Sequence, residues 1–156
     1  MDGGEPDLVR GRLVADSSHV YVGTGRLRAL RLSDGGEAWT FASGGSGQHY
    51  GPPSLKNGIV YATEKDRGVL AIDAGSGELR WGEEAGESVT AKLMGPPVVG
   101  AKYVYSRSGS GLRAIDPSSR RTAWTYKTSG SRFAAHEPSK TIIGWGGSYL
   151  VAFPLV

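Results

Sequence analysis

The chain has 156 residues, 38% hydrophobic and 21% charged, the balance of a packed domain rather than of a disordered chain. A net charge of +3, with Arg120 and Arg121 as the longest basic run, leaves out the electrostatic footprint of a nucleic-acid binder. The chain has no cysteine, which excludes disulfides and thiolate metal sites, and no apolar stretch approaches the ~18 residues of a membrane span, so no membrane insertion is expected.

Residues 1–9 read as a polar, acidic tail without a signal pattern, which leaves the compartment open. The first repeat then places Val20-Tyr21 in a strand, Leu27-Arg28-Ala29-Leu30 in the next, and Trp39 ten residues after Ala29. The second repeat opens on Gly51-Pro52-Pro53 and gives the fullest reading. Pro53-Ser54-Leu55 leads to Lys56-Asn57-Gly58, a hairpin signal, because Asn-Gly accepts the positive φ angles of a tight turn. Residues 59–63 are β-branched and aromatic, hence a strand. Residues 64–68 turn the chain, and Val69-Leu70-Ala71-Ile72 is a short apolar run, as expected of a strand buried on both faces. Residues 73–77 turn it again, and Glu78-Leu79-Arg80-Trp81 forms an outer strand.

The same landmarks recur in the third repeat, as Gly95-Pro96-Pro97, Val104-Tyr105, Leu112-Arg113-Ala114-Ile115 and Trp124. A fourth copy supplies Ile142-Ile143 and Leu150-Val151-Ala152-Phe153, and the sequence reaches Val156 before a further motif tryptophan. The period is therefore 42 to 43 residues, with four strands and no room for a helix. A lone four-stranded sheet cannot bury two apolar faces, whereas radial stacking of identical sheets can. The expected fold is all-β: a propeller of four-stranded blades, three complete and a truncated fourth, as a partial ring. The blades span approximately 10–50, 51–94, 95–132 and 133–156.

The run from alanine to tryptophan resembles the PQQ-like, or quinoprotein alcohol dehydrogenase-like, propeller repeat, whose pattern is approximately Ala-x-Asp-x-x-Thr-Gly-x-x-x-Trp. The copies here are Ala29-Leu-Arg-Leu-Ser-Asp-Gly-Gly-Glu-Ala-Trp39, Ala71-Ile-Asp-Ala-Gly-Ser-Gly-Glu-Leu-Arg-Trp81 and Ala114-Ile-Asp-Pro-Ser-Ser-Arg-Arg-Thr-Ala-Trp124. Arg31 replaces the aspartate in the first, and Arg120 stands where the third needs a turn glycine. The resemblance implies a structural role for Asp73 and Asp116, which set turns, and for Trp39, Trp81 and Trp124, which lie on the neighbouring blade.

Family rings have seven or eight blades, so an open blade face needs cover. Three arrangements provide it: the C-terminal part of a larger propeller, a homodimer closing a ring of about eight blades, or local caps.

The mouth of the channel is the default ligand surface. It is expected to gather residues 44–50, 64–68, 85–94, 107–111 and 131–136. The candidate ligand-binding residues there are Gln48, His49, Tyr50, Arg107, Arg132, Phe133 and His136. His19, His49 and His136 lack metal-ligand spacing, so no metal site is expected. No nucleophile-elbow or phosphate-binding motif is present, and residues 44–48 read as a glycine-rich turn.

The resemblance also raises the quinone cofactor PQQ with calcium. Without cysteines or a recognisable carboxylate–amide cluster, no cofactor is expected. The sequence thus points to a non-catalytic binding or scaffold module for a protein or small-molecule ligand at the propeller mouth. The resemblance implies parallels with envelope assembly scaffolds and with sensor regions of bacterial serine/threonine kinases; members are often extracytoplasmic. The alternative is a fragment of a quinoprotein dehydrogenase.

Overall fold

The computed structural model describes residues 12–44, 49–84, 95–109, 111–127, 132–146 and 149–156. They form four antiparallel sheets, each built from strands consecutive in sequence and adjacent in space. The first holds β1 (Val14–Ala15), β2 (His19–Gly23), β3 (Leu27–Arg31) and β4 (Glu37–Phe41). The second holds β5 (Ser54–Lys56), β6 (Ile59–Glu64), β7 (Gly68–Asp73) and β8 (Leu79–Gly82). The third holds β9 (Val98–Val99), β10 (Val104–Ser108), β11 (Gly111–Asp116) and β12 (Arg121–Lys127). The fourth has three strands, β13 (Arg132–His136), β14 (Thr141–Gly146) and β15 (Tyr149–Pro154). No α-helix occurs among the described residues; a 3-10 turn at Glu137–Ser139 joins β13 to β14.

The repeat alanine faces the repeat tryptophan across the third and fourth strands of each complete sheet: Ala29↔Trp39, Ala71↔Trp81 and Ala114↔Trp124. A bulge follows the alanine each time. It adds twist where the outer strand leaves its hairpin. Inner strands β1, β5 and β9 lie side by side, so the sheets fan out around an axis.

Strand alternation sends successive side chains to opposite faces, and each face closes a different junction. Tyr21, Leu27, Ala29 and Trp39 of the first sheet pack on Val60, Ala62, Leu70 and Ile72 of the second. The other face of the second sheet, with Tyr61, Val69 and Ala71, meets Val104 and Ile115 of the third. Tyr105, Leu112 and Ala114 then meet Ile142 and Leu155 of the fourth.

The junctions are not equivalent. At the first, Trp39 Nε1 donates to Ala74 O at 2.9 Å, and Tyr21 Oη lies 3.3 Å from the same carbonyl. At the third, Tyr105 Oη donates to Val156 O at 3.1 Å, while Trp124 packs beside Phe153. At the second, Tyr61 and Trp81 meet edge to face within the apolar cluster. That junction carries a buried ion pair instead. Arg113 donates from Nη1 to Glu83 Oε1 at 2.8 Å and from Nη2 to Glu83 Oε2 at 3.1 Å, both side chains being at most 1% exposed. Val69 N–H donates to the same carboxylate at 2.7 Å, and Arg113 also reaches Thr122 Oγ1 at 3.1 Å.

The turns between third and fourth strands explain the repeat aspartates. Asp73 Oδ1 accepts from the N–H groups of Gly75 and Ser76 and from Ser76 Oγ, and its other oxygen takes Arg80 at 2.6 Å. These donors hold the carboxyl at about 2, below its ordinary 3.8. Asp116 receives Ser118 in the same way. In the first sheet Asp34, three residues beyond the Asp73 position, caps Gly36 N–H and pairs with Arg31.

Candidate functional site

The inner strands bound a groove with both polar and apolar lining. Residues 12–14, 53–56, 96–99 and 133–135, with Glu137, line a groove of about 380 Å³ that touches all four sheets. Prolines 53, 96 and 97 precede β5 and β9 and stiffen the entry into each inner strand. The walls are apolar, with Leu13, Val14, Leu55, Val98, Val99, Phe133, Ala134 and Ala135. Arg12, Ser54, Lys56 and Glu137 supply its polar groups. Lys56 Nζ donates to Val99 O at 2.8 Å and pairs with Glu137 Oε1 at 3.1 Å, stapling the second, third and fourth sheets together.

The expected mouth residues are dispersed. Gln48 lies outside the described residues, as does the Arg132 side chain. His49 is exposed and its carbonyl accepts from Lys65 N–H at 2.9 Å. Tyr50 is buried, edge-on to Phe41, and its Oη accepts from Ser43 N–H at 3.1 Å; burial raises its pKa. Ser43 Oγ also donates to the buried Glu64, which pairs with Arg67. Tyr50 is thus a packing residue beneath the rim. Arg107 is half-buried near the end of β10, and desolvation lowers its pKa. Phe133 lines the groove and packs into the third junction.

His136 requires a correction. It ends β13, opposite Thr141, whereas Arg132 begins that strand. The strand carries His136 about 13 Å from Arg132 and onto the opposite rim. There its Nδ1 lies 2.7 Å from Ser139 Oγ. His19 occupies the same rim, beside Asp16.

A second cleft, about 640 Å³, opens on the outer side of the second junction between Arg67, Arg80, Trp81, Glu84 and Arg120. Its origin is local. Gly77 has φ +76 and a Cβ there would stand 2.7 Å from the Trp39 indole. At the matching position Arg120 has φ 58 and does carry a Cβ, so Trp81 lacks the berth that Trp39 uses.

A quinone with calcium needs converging carboxylate and amide oxygens. The groove lining offers one carboxylate, Glu137, already tied to Lys56, and no amide side chain. Among the described residues no cluster of three His, Asp or Glu side chains has metal-binding geometry. The donor set lining this groove does not fit that cofactor.

A family profile described as outer membrane protein assembly factor BamB matches residues 23–154. The chain belongs to this BamB-like family of PQQ-type β-propellers. BamB of Moraxella catarrhalis superposes with a TM-score of 0.66 at 19% identity, over 87% of this chain and 44% of that one. The computationally designed Ika4 protein superposes at 0.73 with 16% identity, over 99% of this chain and 95% of that one. Identities this low speak for the fold alone. In sequence, the chain is 30% identical over 125 residues to the serine/threonine-protein kinase AfsK of Streptomyces griseus. That match covers 76% of this chain and 15% of the kinase, so the chain spans a small part of its curated relative.

Proposed function

We propose that this BamB-like arc is a non-catalytic binding and scaffold module, the propeller part of a longer protein of the bacterial serine/threonine-kinase sensor type. The observation that carries this reading is the groove along the inner strands. Its lining combines apolar walls with the polar groups of Arg12, Ser54, Lys56 and Glu137, and no single sheet owns it, so an occupant senses how the sheets are arranged. The likeness to AfsK supports the sensor setting, and the BamB-like fold supports protein as the ligand class.

Panning a random peptide library against the chain, with Ala135→Trp as the groove-filled control, tests the reading. Peptides that bind the chain and lose at least about tenfold in affinity with Ala135→Trp support it. Failure to select any groove-dependent peptide counts against it. The quinoprotein reading has its own test, since a bound cofactor must raise the melting temperature by mass action. Addition of PQQ with calcium is expected to leave the melting temperature unchanged.

A further inference from the structure

The cleft on the outer side of the second junction has a counterpart at the first, where the same place is filled. There the Trp39 indole lies over Gly77, and its N–H donates to Ala74 O at 2.9 Å. In the third repeat Pro117 and Arg120 stand at the positions of Ala74 and Gly77. Gly77 and Arg120 are both left-handed, with φ 76 and 58, so the turn is kept and the side chain is what differs. Trp81 stays half-buried, and Leu79, two residues earlier on β8, is 41% exposed. Both line the open cleft of about 640 Å³ together with Arg120.

Most charges along this cleft are answered. Glu83 is bound to Arg113, Glu84 pairs with Arg121 at 3.4 Å, and Asp66 with Lys65 at 3.7 Å. Arg67 pairs with Glu64 at 3.6 Å and Arg80 with Asp73 at 2.6 Å. Two donors are left over. Among the described residues nothing accepts from the Arg120 guanidinium or from the Trp81 indole N–H.

The first junction shows what such an indole N–H takes, a backbone oxygen. Guanidinium and indole N–H groups donate and cannot accept, so a ligand that satisfies both brings acceptor oxygens and negative charge. Leu79 and the open part of Trp81 add an apolar wall beside them, which favours a flat hydrophobic body.

We propose that this cleft binds a small aromatic carboxylate. Its carboxylate accepts from Arg120 and from the Trp81 N–H, and its ring covers the exposed apolar surface of Leu79 and Trp81. The volume is within the range of small-ligand sites. The site is built by the outer strand β8 and the β11–β12 turn, separately from the inner-strand groove.

The test titrates 2-naphthoate into the protein by calorimetry, with 2-naphthalenemethanol as its neutral counterpart and acetate as the ringless one. Saturable binding of naphthoate below about 1 mM is expected. Each control compound should bind at least about tenfold more weakly, since one lacks the charge and the other the ring. Arg120→Asn keeps a left-handed turn and removes the guanidinium, and should weaken naphthoate about tenfold or more. Trp81→Phe keeps a ring without the N–H and should weaken it about threefold or more. Circular dichroism checks that both variants keep the fold. Leu55→Glu, in the groove, should bind naphthoate fully, so failure of the groove reading and failure of this one are read separately. Absence of saturation at about 10 mM overturns the proposal. So does equal binding of the neutral compound, or full binding by Arg120→Asn or Trp81→Phe.

Discussion

Trp39 rests on Gly77. The indole of one sheet crosses the turn of the next at a point where only a hydrogen fits, since a Cβ there would approach its ring to 2.7 Å. The indole N–H is thereby delivered to Ala74 O. Replacing Gly77 by alanine forces the ring out and strains a φ of +76. A loss of about 2–3 kcal/mol is expected. Urea unfolding followed by tryptophan emission measures it, and a loss below half that value would show that Trp39 reseats at little cost.

Arg120 poses the inverse case. Its left-handed backbone costs about 1–2 kcal/mol for a residue with a side chain, against a smaller entropic penalty for glycine. Arg120→Gly should therefore raise stability by about 1 kcal/mol. It also vacates the berth that Trp81 lacks, so a blue shift in emission is expected, and its loss on adding Trp81→Phe assigns it. An unchanged spectrum would mean that the arginine does not keep Trp81 out.

The Glu83–Arg113 pair gives a double-mutant test. Either Glu83→Gln or Arg113→Met leaves a buried group without its counter-charge, at a cost of about 3–5 kcal/mol for the worse of the two. The double variant should recover a large part of that cost, because the lone charge is what is expensive. Simple additivity in urea midpoints would show that the two side chains do not act as a pair. Burial also predicts little response to salt up to about 1 M, unlike an exposed pair such as Arg121 with Glu84.

Acid should open the turns first. Asp16, Asp34, Asp73 and Asp116 are all held below their ordinary pKa by hydrogen bonds, with Tyr21 Oη the main donor to Asp16 and Arg80 the main donor to Asp73. A carboxylate with a depressed folded-state pKa stabilises at neutral pH, and that contribution is lost as pH falls through the folded value. The window here runs from about 4 down to about 2. Stability measured by urea midpoint should be flat from pH 7 to about 5 and drop below about 4, with a shallower drop in Asp73→Asn.

The propeller arc was legible because one spacing recurs in four registers. Tryptophans 42 and 43 residues apart, each ten after an alanine, have only one use in a sheet, and the pairing Ala↔Trp is what they encode. The groove was not, because its lining comes one short stretch at a time from four sheets and has no local pattern. His136 was misplaced for a related reason: the Gly-Pro-Pro that opens the second and third repeats is missing ahead of β13, so a strand looked like part of the loop. The ion pair did leave a trace. Arg113 stands where the first repeat also has an arginine, Arg28, and the second and fourth have Leu70 and Val151; Glu83 stands two residues after its tryptophan, where the others have Phe41 and Tyr126. Glu83 is the departure, a carboxylate at an aromatic position, and the arginine of the next copy is the charge that answers it.

That pair also bears on how similar sheets find their proper neighbours. Tandem copies of one motif invite assembly in the wrong order, since every apolar face resembles every other. A sheet bearing Arg113 that slid against the first sheet would meet Phe41 rather than Glu83, and would bury a lone guanidinium at several kcal/mol. The charge therefore penalises those misassembled arcs in which Arg113 meets an apolar face instead of Glu83.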